Sequence, residues 1–396
     1  MNCINEQMYG YGSSRSVIRD QYEYGRKRRA EIGDDNLFDF SLGNPSVPTP
    51  PSVRDCVISL LDETDSLSLH GYTSAQGDFN TRKAVADNLN GRFDAGLEPD
   101  DIYMTCGAAA ALSITFRALN ALDDEIIIFA PYFPEYKVFI SSAGAVPVSV
   151  PFEERDFQMD LDAFREALSP KTKAVVINSP NNPCGVIYKE STLLELCEIL
   201  RKKSAEYGHP IYIVSDEPYR EIVYNGKAVP FIMNLYPDTI MCYSYSKCLS
   251  VPGERIGYVA VSPRASDASR VYAAVCGAGR ALGYVCAPSL FQKIIERLPG
   301  VMPDIEVYRR NRDLLYGSLS EIGYECVHPD GAFYLFIKSL EPDAVKFSLR
   351  ARDFDILLVP AGSFGAPGYA RIAYCTDYDR IRRSIPAFKA LFESYR

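Results

Sequence analysis

From Glu125 to Val261 the chain alternates short apolar runs with segments of helical periodicity, and this alternation narrows the possible folds more than any other feature. The runs Glu125–Ala130, Val146–Val150, Lys173–Asn178, Ile211–Ser215, Thr239–Tyr243 and Ile256–Val261 are rich in β-branched and aromatic residues. Between several of them lie helix-like stretches such as Ser191–Tyr207, where Leu193, Leu194, Leu196, Cys197 and Leu200 form an apolar stripe. Nearly continuous apolar strands separated by helices predict an α/β fold with a mostly parallel sheet covered on both faces. After about residue 290 the pattern changes to a helix (Leu290–Leu298), a second helix rich in Arg and Leu, and hairpin-like strands around Phe333–Ile337. That reads as a smaller α+β domain. At the other end, Ser13-Ser14 reads as the cap of a polar helix that runs to Gly33. Asn36–Leu42 alternates, and Gly43-Asn44-Pro45 breaks the pattern; with Pro48, Pro50 and Pro51 close behind, this stretch reads as an extended arm. The expected division is a helix and arm (1–50) joining the small domain, a large domain (51–289) and a small C-terminal domain (290–396).

Bulk properties exclude several functions. Of 396 residues 47% are hydrophobic and 23% charged, which suits packed cores. With 42 basic against 51 acidic side chains the net charge is −9, which argues against nucleic acid as a partner. The single basic run, Arg26-Lys27-Arg28-Arg29, has Glu23, Glu31, Asp34 and Asp35 around it and reads as a solvated helix face. No window approaches the ~18–20 apolar residues of a membrane span. Eleven scattered cysteines without a Cys-x-x-Cys pair, and no apolar h-region in Met1–Asp20, predict free thiols in the cytoplasm. His70, His209 and His328 lack metal-ligand spacing, so no metal is expected.

In sheets of this kind ligands gather at the carboxyl ends of the strands. There the sequence places Asp216-Glu217-Pro218-Tyr219, Ser244-Tyr245-Ser246-Lys247, then Gly253-Glu254-Arg255-Ile256-Gly257, and Ser179-Pro180-Asn181-Asn182-Pro183-Cys184-Gly185. Taken singly, an Asp at a strand end is a helix cap and an Asn-Pro pair a turn. In this order and at these spacings the chain resembles the class I/II aminotransferases of the fold type I pyridoxal-phosphate-dependent, aspartate aminotransferase-like superfamily, from Gly43 to Arg371. The resemblance implies a large domain with a seven-stranded sheet and the cofactor pyridoxal 5'-phosphate.

The resemblance further implies a role for each matching residue. Lys247 would hold the cofactor as a Schiff base and shuttle protons. Asp216 would face the pyridine nitrogen and raise its pKa by Coulomb attraction. Tyr219 and Asn182 would flank the phenolic oxygen. Arg255 and Ser244 would bind the phosphate, with the amides of Ala108 and Ala109 at a helix N-terminus. Many relatives place a hydroxyl or lysine in that turn, whereas Met104-Thr105-Cys106-Gly107-Ala108-Ala109 offers backbone donors only. Cys184 replaces a usual threonine. Phe133, with Tyr132 as second choice, would stack on the cofactor ring. Tyr72 matches a tyrosine that reaches the neighbouring subunit's phosphate, which implies a homodimer with shared active sites. Arg371 would clamp the substrate α-carboxylate beside Gly43, where a Cβ would obstruct it. Arg280, between glycines that suggest a loop, is a candidate contact for a substrate side chain.

The leading expectation is transamination between an L-amino acid and a 2-oxo acid, of the aspartate/2-oxoglutarate type. A C–S lyase or decarboxylase on the same scaffold is the alternative. A cofactor-binding regulatory module ranks third, because no DNA-binding head precedes Gly43 and Lys247 and Arg371 are intact.

Overall fold

A computed structural model of the chain describes residues 3–13 and 17–396. The strands are β1 (Phe38–Asp39), β2 (Ile102–Thr105), β3 (Glu125–Phe129), β4 (Val146–Val150), β5 (Thr172–Asn178), β6 (Tyr212–Asp216), β7 (Thr239–Ser244) and β8 (Gly257–Val261), then β9 (Cys326–Val327), β10 (Tyr334–Lys338), β11 (Ile356–Leu357), β12 (Val359–Pro360) and β13 (Tyr369–Ala373). Seven of them form one sheet in the order β2-β8-β7-β6-β5-β3-β4, with β8 antiparallel to both neighbours and every other pairing parallel. β2 is not among the runs read as strands. It has four residues and enters the sheet through β8, a partner about 150 residues away in the chain.

The near-continuous apolarity of these strands has a direct cause. Successive side chains point to opposite faces, and both faces are covered. Ile126, Ile128, Val176 and Val214 pack under the helix Ala108–Leu119, whereas Ile127, Val175, Ile177 and Ile213 pack under Glu190–Tyr207. The latter helix ends at Gly208, whose φ of 75° makes the left-handed cap that glycine adopts without strain. Truncating a fully buried side chain such as Ile213 to alanine removes about 2–5 kcal/mol of stability.

The smaller sheet runs β12-β13-β10-β9, all antiparallel, and packs on the helices Ile305–Ile322 and Tyr378–Glu393. β1 pairs in parallel with β11, so the N-terminal arm is tied to the C-terminal part. Phe40 and Val47 of the arm share a core with Tyr308, Leu315 and Phe388. Tyr219, Ile222 and Tyr224, which follow β6, enter the same core and bring the end of the large sheet against the small one.

Two N-terminal readings need correction. Ser13 closes a first helix, Glu6–Ser13, with its hydroxyl donating to the Tyr9 carbonyl at 2.7 Å, while the polar helix proper is Val17–Ile32. Ser14, the other proposed cap residue, lies outside the described residues. The basic run is also more than a solvated face. Arg28 donates to Asp355 at 2.8 Å and Arg29 pairs with Asp39 at 3.2 Å, so both arginines pin the helix to the body.

Candidate active site

Register aligns the strand ends. Asn178 lies opposite Asp216, Asp216 opposite Cys242, and Ser244 opposite Gly257, which in turn faces Thr105. A cavity of about 290 Å³ opens at this edge, closed on its other side by Tyr334 and Arg371 of the small sheet. The residues assigned to the site from sequence line it, except Arg280 and Tyr72, the latter 90% exposed. Tyr132, the second choice for ring stacking, is buried and does not line the cavity, whereas Phe133 does.

Lys247 projects from the turn after β7, and its Nζ donates to the Gly43 carbonyl at 2.8 Å. Burial pushes its amine down to about 8, with Arg371 and Arg255 adding repulsion in the same direction. Asp216 is buried at the end of β6, and burial raises its carboxyl to about 7. Its Oδ2 accepts from the Tyr136 hydroxyl at 2.5 Å, while Oδ1 is buried without a hydrogen-bond partner. Asn178 fastens the strand ends together, donating to the Asp216 carbonyl and accepting from the Asn182 amide, each at 2.8 Å.

Across the cavity, Arg371 donates to Asn182 Oδ1 at 3.2 Å and to the Ser41 carbonyl at 2.7 Å, and its Nε has no partner. The guanidinium lies 4.7 Å from the centre of the Tyr334 ring, a cation–π distance. Tyr334 in turn hydrogen-bonds the Tyr219 hydroxyl at 2.8 Å. This packing changes the reason for Gly43. A Cβ there would lie 2.0 Å from the Tyr334 hydroxyl, so protein packing alone demands glycine.

At the far end, Gly107 precedes the helix Ala108–Leu119 with φ of 81°, and a Cβ on it would sit 2.7 Å from the Arg255 guanidinium. Arg255 itself has φ of 54°, a left-handed backbone uncommon for arginine, and it brings the guanidinium against Ser246 and the Cys106 carbonyl. Ser244 and Ser246 share a hydrogen bond of 2.7 Å. The first-turn amides of that helix have no intrahelical acceptor, so cation, hydroxyls and amides converge as an anion site.

Asn178, Tyr136, Tyr334 and Ser246 are the site residues that sequence reasoning missed. Ser246 stood inside the quoted Ser-x-Ser-Lys element. Arg280 is not in a loop: it lies on the exposed side of the helix Ala268–Ala281 and away from the cavity. Its neighbour Gly279 is there because the Tyr103 hydroxyl occupies the place of a Cβ, at 2.1 Å. A larger groove of about 1050 Å³ contains none of these residues. Several of its rim charges are paired with one another, as in Lys189–Asp156 and Lys338–Glu325.

Among the described residues no group of His, Cys, Asp and Glu is placed to hold a metal ion, and no helix is long and apolar enough to cross a membrane.

Comparison with known proteins gives one consistent result. The family model described as aminotransferase class I and II matches residues 35–387. A probable aspartate/prephenate aminotransferase of Thermus aquaticus is 32% identical over 362 residues, spanning 89% of this chain and 91% of its own. The crystal structure of an aminotransferase from Eubacterium rectale superposes with a TM-score of 0.98 at 54% identity, over all of both chains. That of Thermus thermophilus aspartate aminotransferase with maleate gives 0.87 at 26% identity, covering 99% of this chain and 100% of the other.

Proposed function

Because the chain belongs to the class I and II aminotransferases and is a pyridoxal-phosphate-dependent enzyme, we propose that Lys247 carries the cofactor, that the amino group passes between aspartate or glutamate and a 2-oxo acid, and that the enzyme works in the cytoplasm as a homodimer. The observation that carries this reading is the cavity itself, with a half-buried lysine amine on one wall and a partly unsatisfied arginine on the other. The choice of aspartate leans on the names of relatives in Thermus aquaticus and Thermus thermophilus.

The residues fit the cofactor. The unpartnered Oδ1 of Asp216 suits a protonated ring nitrogen, and a carboxyl held near 7 chiefly by burial, with Glu217 adding repulsion, ionises readily beside such a cation. The convergence of Arg255, Ser244, Ser246 and the Ala108 and Ala109 amides suits a phosphate dianion. Phe133 offers a flat apolar face at the cavity wall.

When bound, pyridoxal phosphate supplies an electron sink. The protein does the rest. Lys247 Nζ, with its affinity for protons lowered to about 8, takes a proton from the substrate carbon and returns it elsewhere at neutral pH. Arg371 receives the substrate α-carboxylate on its fork, held in plane by Asn182 and the Ser41 carbonyl. Tyr219 and Asn182 would hold the cofactor's phenolic oxygen, and Tyr72 of the opposite subunit would donate to the phosphate.

A panel of amino donors, followed through the visible spectrum of the bound cofactor, tests the reading. Aspartate and glutamate should convert the spectrum in a single half-reaction that a 2-oxo acid reverses. A spectrum that neither donor changes would overturn the substrate class.

A further inference from the structure

The turn that carries Lys247 is fastened, on the side away from the cavity, by side chains that take no part in the site. Tyr243 belongs to β7, where successive side chains point to opposite faces. Cys242 packs toward the helix Ala108–Leu119, its sulfur 3.4 Å from the Thr115 hydroxyl, and Tyr243 packs on the other face. There its ring stacks on Tyr258 with centroids 5.0 Å apart and meets Tyr245 edge to face at 5.1 Å. The hydroxyl donates to Glu221 Oε2 at 2.7 Å and lies 3.2 Å from the sulfur of Cys248, the residue after Lys247. Glu221 is buried, and its Oε1 accepts at 3.1 Å from Arg92, near the end of the helix Phe79–Phe93. A buried carboxylate is costly unless its oxygens are occupied, and here both are. None of Arg92, Glu221, Tyr243 and Cys248 lines the cavity.

We propose that Tyr243 is a positioning residue for Lys247, its hydroxyl anchored on Glu221 and holding Cys248 so that the turn keeps one place. The inference rests on the reading of Lys247 as the residue that carries the cofactor. Two other polar groups of the turn face the ligand. Ser246 bonds Ser244 within the anion site, and Lys247 Nζ reaches the Gly43 carbonyl. Cys248 ties the opposite side. Arg92 keeps Glu221 charged, and a charged acceptor makes the stronger bond to a phenol. The boxed ring leaves that phenol little room to swing. A lysine has a long flexible stem, so only a fixed backbone returns its amine to the same point at every turnover. A displacement of about 1 Å can cost on the order of a hundredfold in rate.

The test is run on the full chain, first without cofactor. Competitive acetylation of Lys247 across pH gives the midpoint of its amine, about 8 in the native protein against an ordinary 10.5. In Tyr243→Phe the turn loosens, the amine gains water, and the midpoint should rise toward 10.5. Cys248→Ala, which leaves the tyrosines intact, should do the same. Cys248→Ser keeps a polar group in place and should stay near the native value. In the loaded enzyme, kcat of Tyr243→Phe and Cys248→Ala should fall roughly ten- to a hundredfold. KM for the amino donor should change by less than about threefold, because Arg371 is untouched. If Tyr243→Phe does not accumulate as folded protein, the two Cys248 variants decide. A native midpoint in folded Tyr243→Phe or in Cys248→Ala overturns the proposal, and so does a Cys248→Ser protein that behaves like Cys248→Ala. Borohydride reduction and peptide mapping of the native loaded enzyme are run beside them. An adduct on another lysine means that the reading of Lys247 has failed. An adduct on Lys247 with unmoved midpoints means that only the role of Tyr243 has failed.

Discussion

Lys247 Nζ rests 2.8 Å from the Gly43 carbonyl, so the amine at the centre of the site is held by the backbone of the N-terminal arm. No carboxylate shares this contact. Burial depresses the amine's affinity for protons, and the charges of Arg371 and Arg255 lower it further.

That cost is measurable in the cofactor-free enzyme. The folded-state value is about 8 against an ordinary 10.5. Between those values the unfolded chain holds a proton that the folded chain lacks, so stability rises with pH across the window. Below about 8 both states are protonated and the folded state carries the whole penalty. Lys247→Met should therefore stabilise the cofactor-free protein at pH 7 by ~1–3 kcal/mol, less than the full shift implies because the amine opens onto a cavity. The gain should vanish by pH 10.5. Denaturant titrations of both proteins at the two pH values check this. Equal stability at pH 7 would show that the amine is solvated.

Asp216 shows the opposite sign. Its folded-state value is raised from 3.8 to about 7, so the folded chain holds a proton that the unfolded chain releases. Native cofactor-free protein should lose stability relative to Asp216→Asn as pH rises from about 4 to about 7. In the loaded enzyme, Asp216→Ala should lower kcat at least a hundredfold, since preorganised electrostatic groups are commonly worth about that much. It should still yield a borohydride-stable adduct on Lys247, because the phosphate contacts are intact. Peptide mapping and steady-state rates report the two outcomes separately.

What the sequence disclosed and what it withheld divide along physical lines. Asp216, Ser244, Lys247 and Asn182 were legible because strand ends collect ligands, and these residues come directly after apolar runs that only a doubly covered sheet explains. Tyr334 and Tyr136 were not legible. Each acts through a partner distant in the chain, 115 and 80 residues away, and a tyrosine among apolar neighbours reads as core. Gly43 was read as making room for a substrate, when the Tyr334 hydroxyl already fills that place. Arg280 was misread for a similar reason. Its glycines look like loop punctuation, yet Gly279 admits the Tyr103 side chain against a continuous helix.

Arg371→Ala removes the guanidinium proposed to receive the substrate carboxylate. It would also leave Asn182 Oδ1 and the Ser41 carbonyl without their donor. Losing one member of a buried charged pair costs ~2–5 kcal/mol, so kcat/KM should fall on the order of 30- to 4000-fold for every amino donor. Lys at this position should recover only part of the loss, because an ammonium cannot present a planar fork. Steady-state kinetics with several donors decides. A fall of less than about threefold places the carboxylate elsewhere.

Tyr72 carries the last prediction. It comes just after the short helix Ser66–His70, is 90% exposed, and takes no part in lining the cavity of its own chain. A tyrosine so placed gains little as a surface residue, whereas a phenol donating to a phosphate dianion makes a charge-assisted bond. The bond matters here because the Ala108-Ala109 turn brings no side-chain donor. In a two-fold dimer with shared sites, Tyr72 and Lys247 of one site belong to different subunits. An inactive Lys247→Ala subunit is mixed with a crippled Tyr72→Ala subunit and allowed to exchange. If the sites are shared, each hybrid dimer has one site with neither change and one with both. Random exchange at equal amounts makes about half of the dimers hybrids, so about a quarter of native activity should return. If Tyr72 serves its own chain, every site in the mixture carries one defect or the other. Activity then stays at the average of the two parents, even where mass spectrometry shows that the subunits have exchanged.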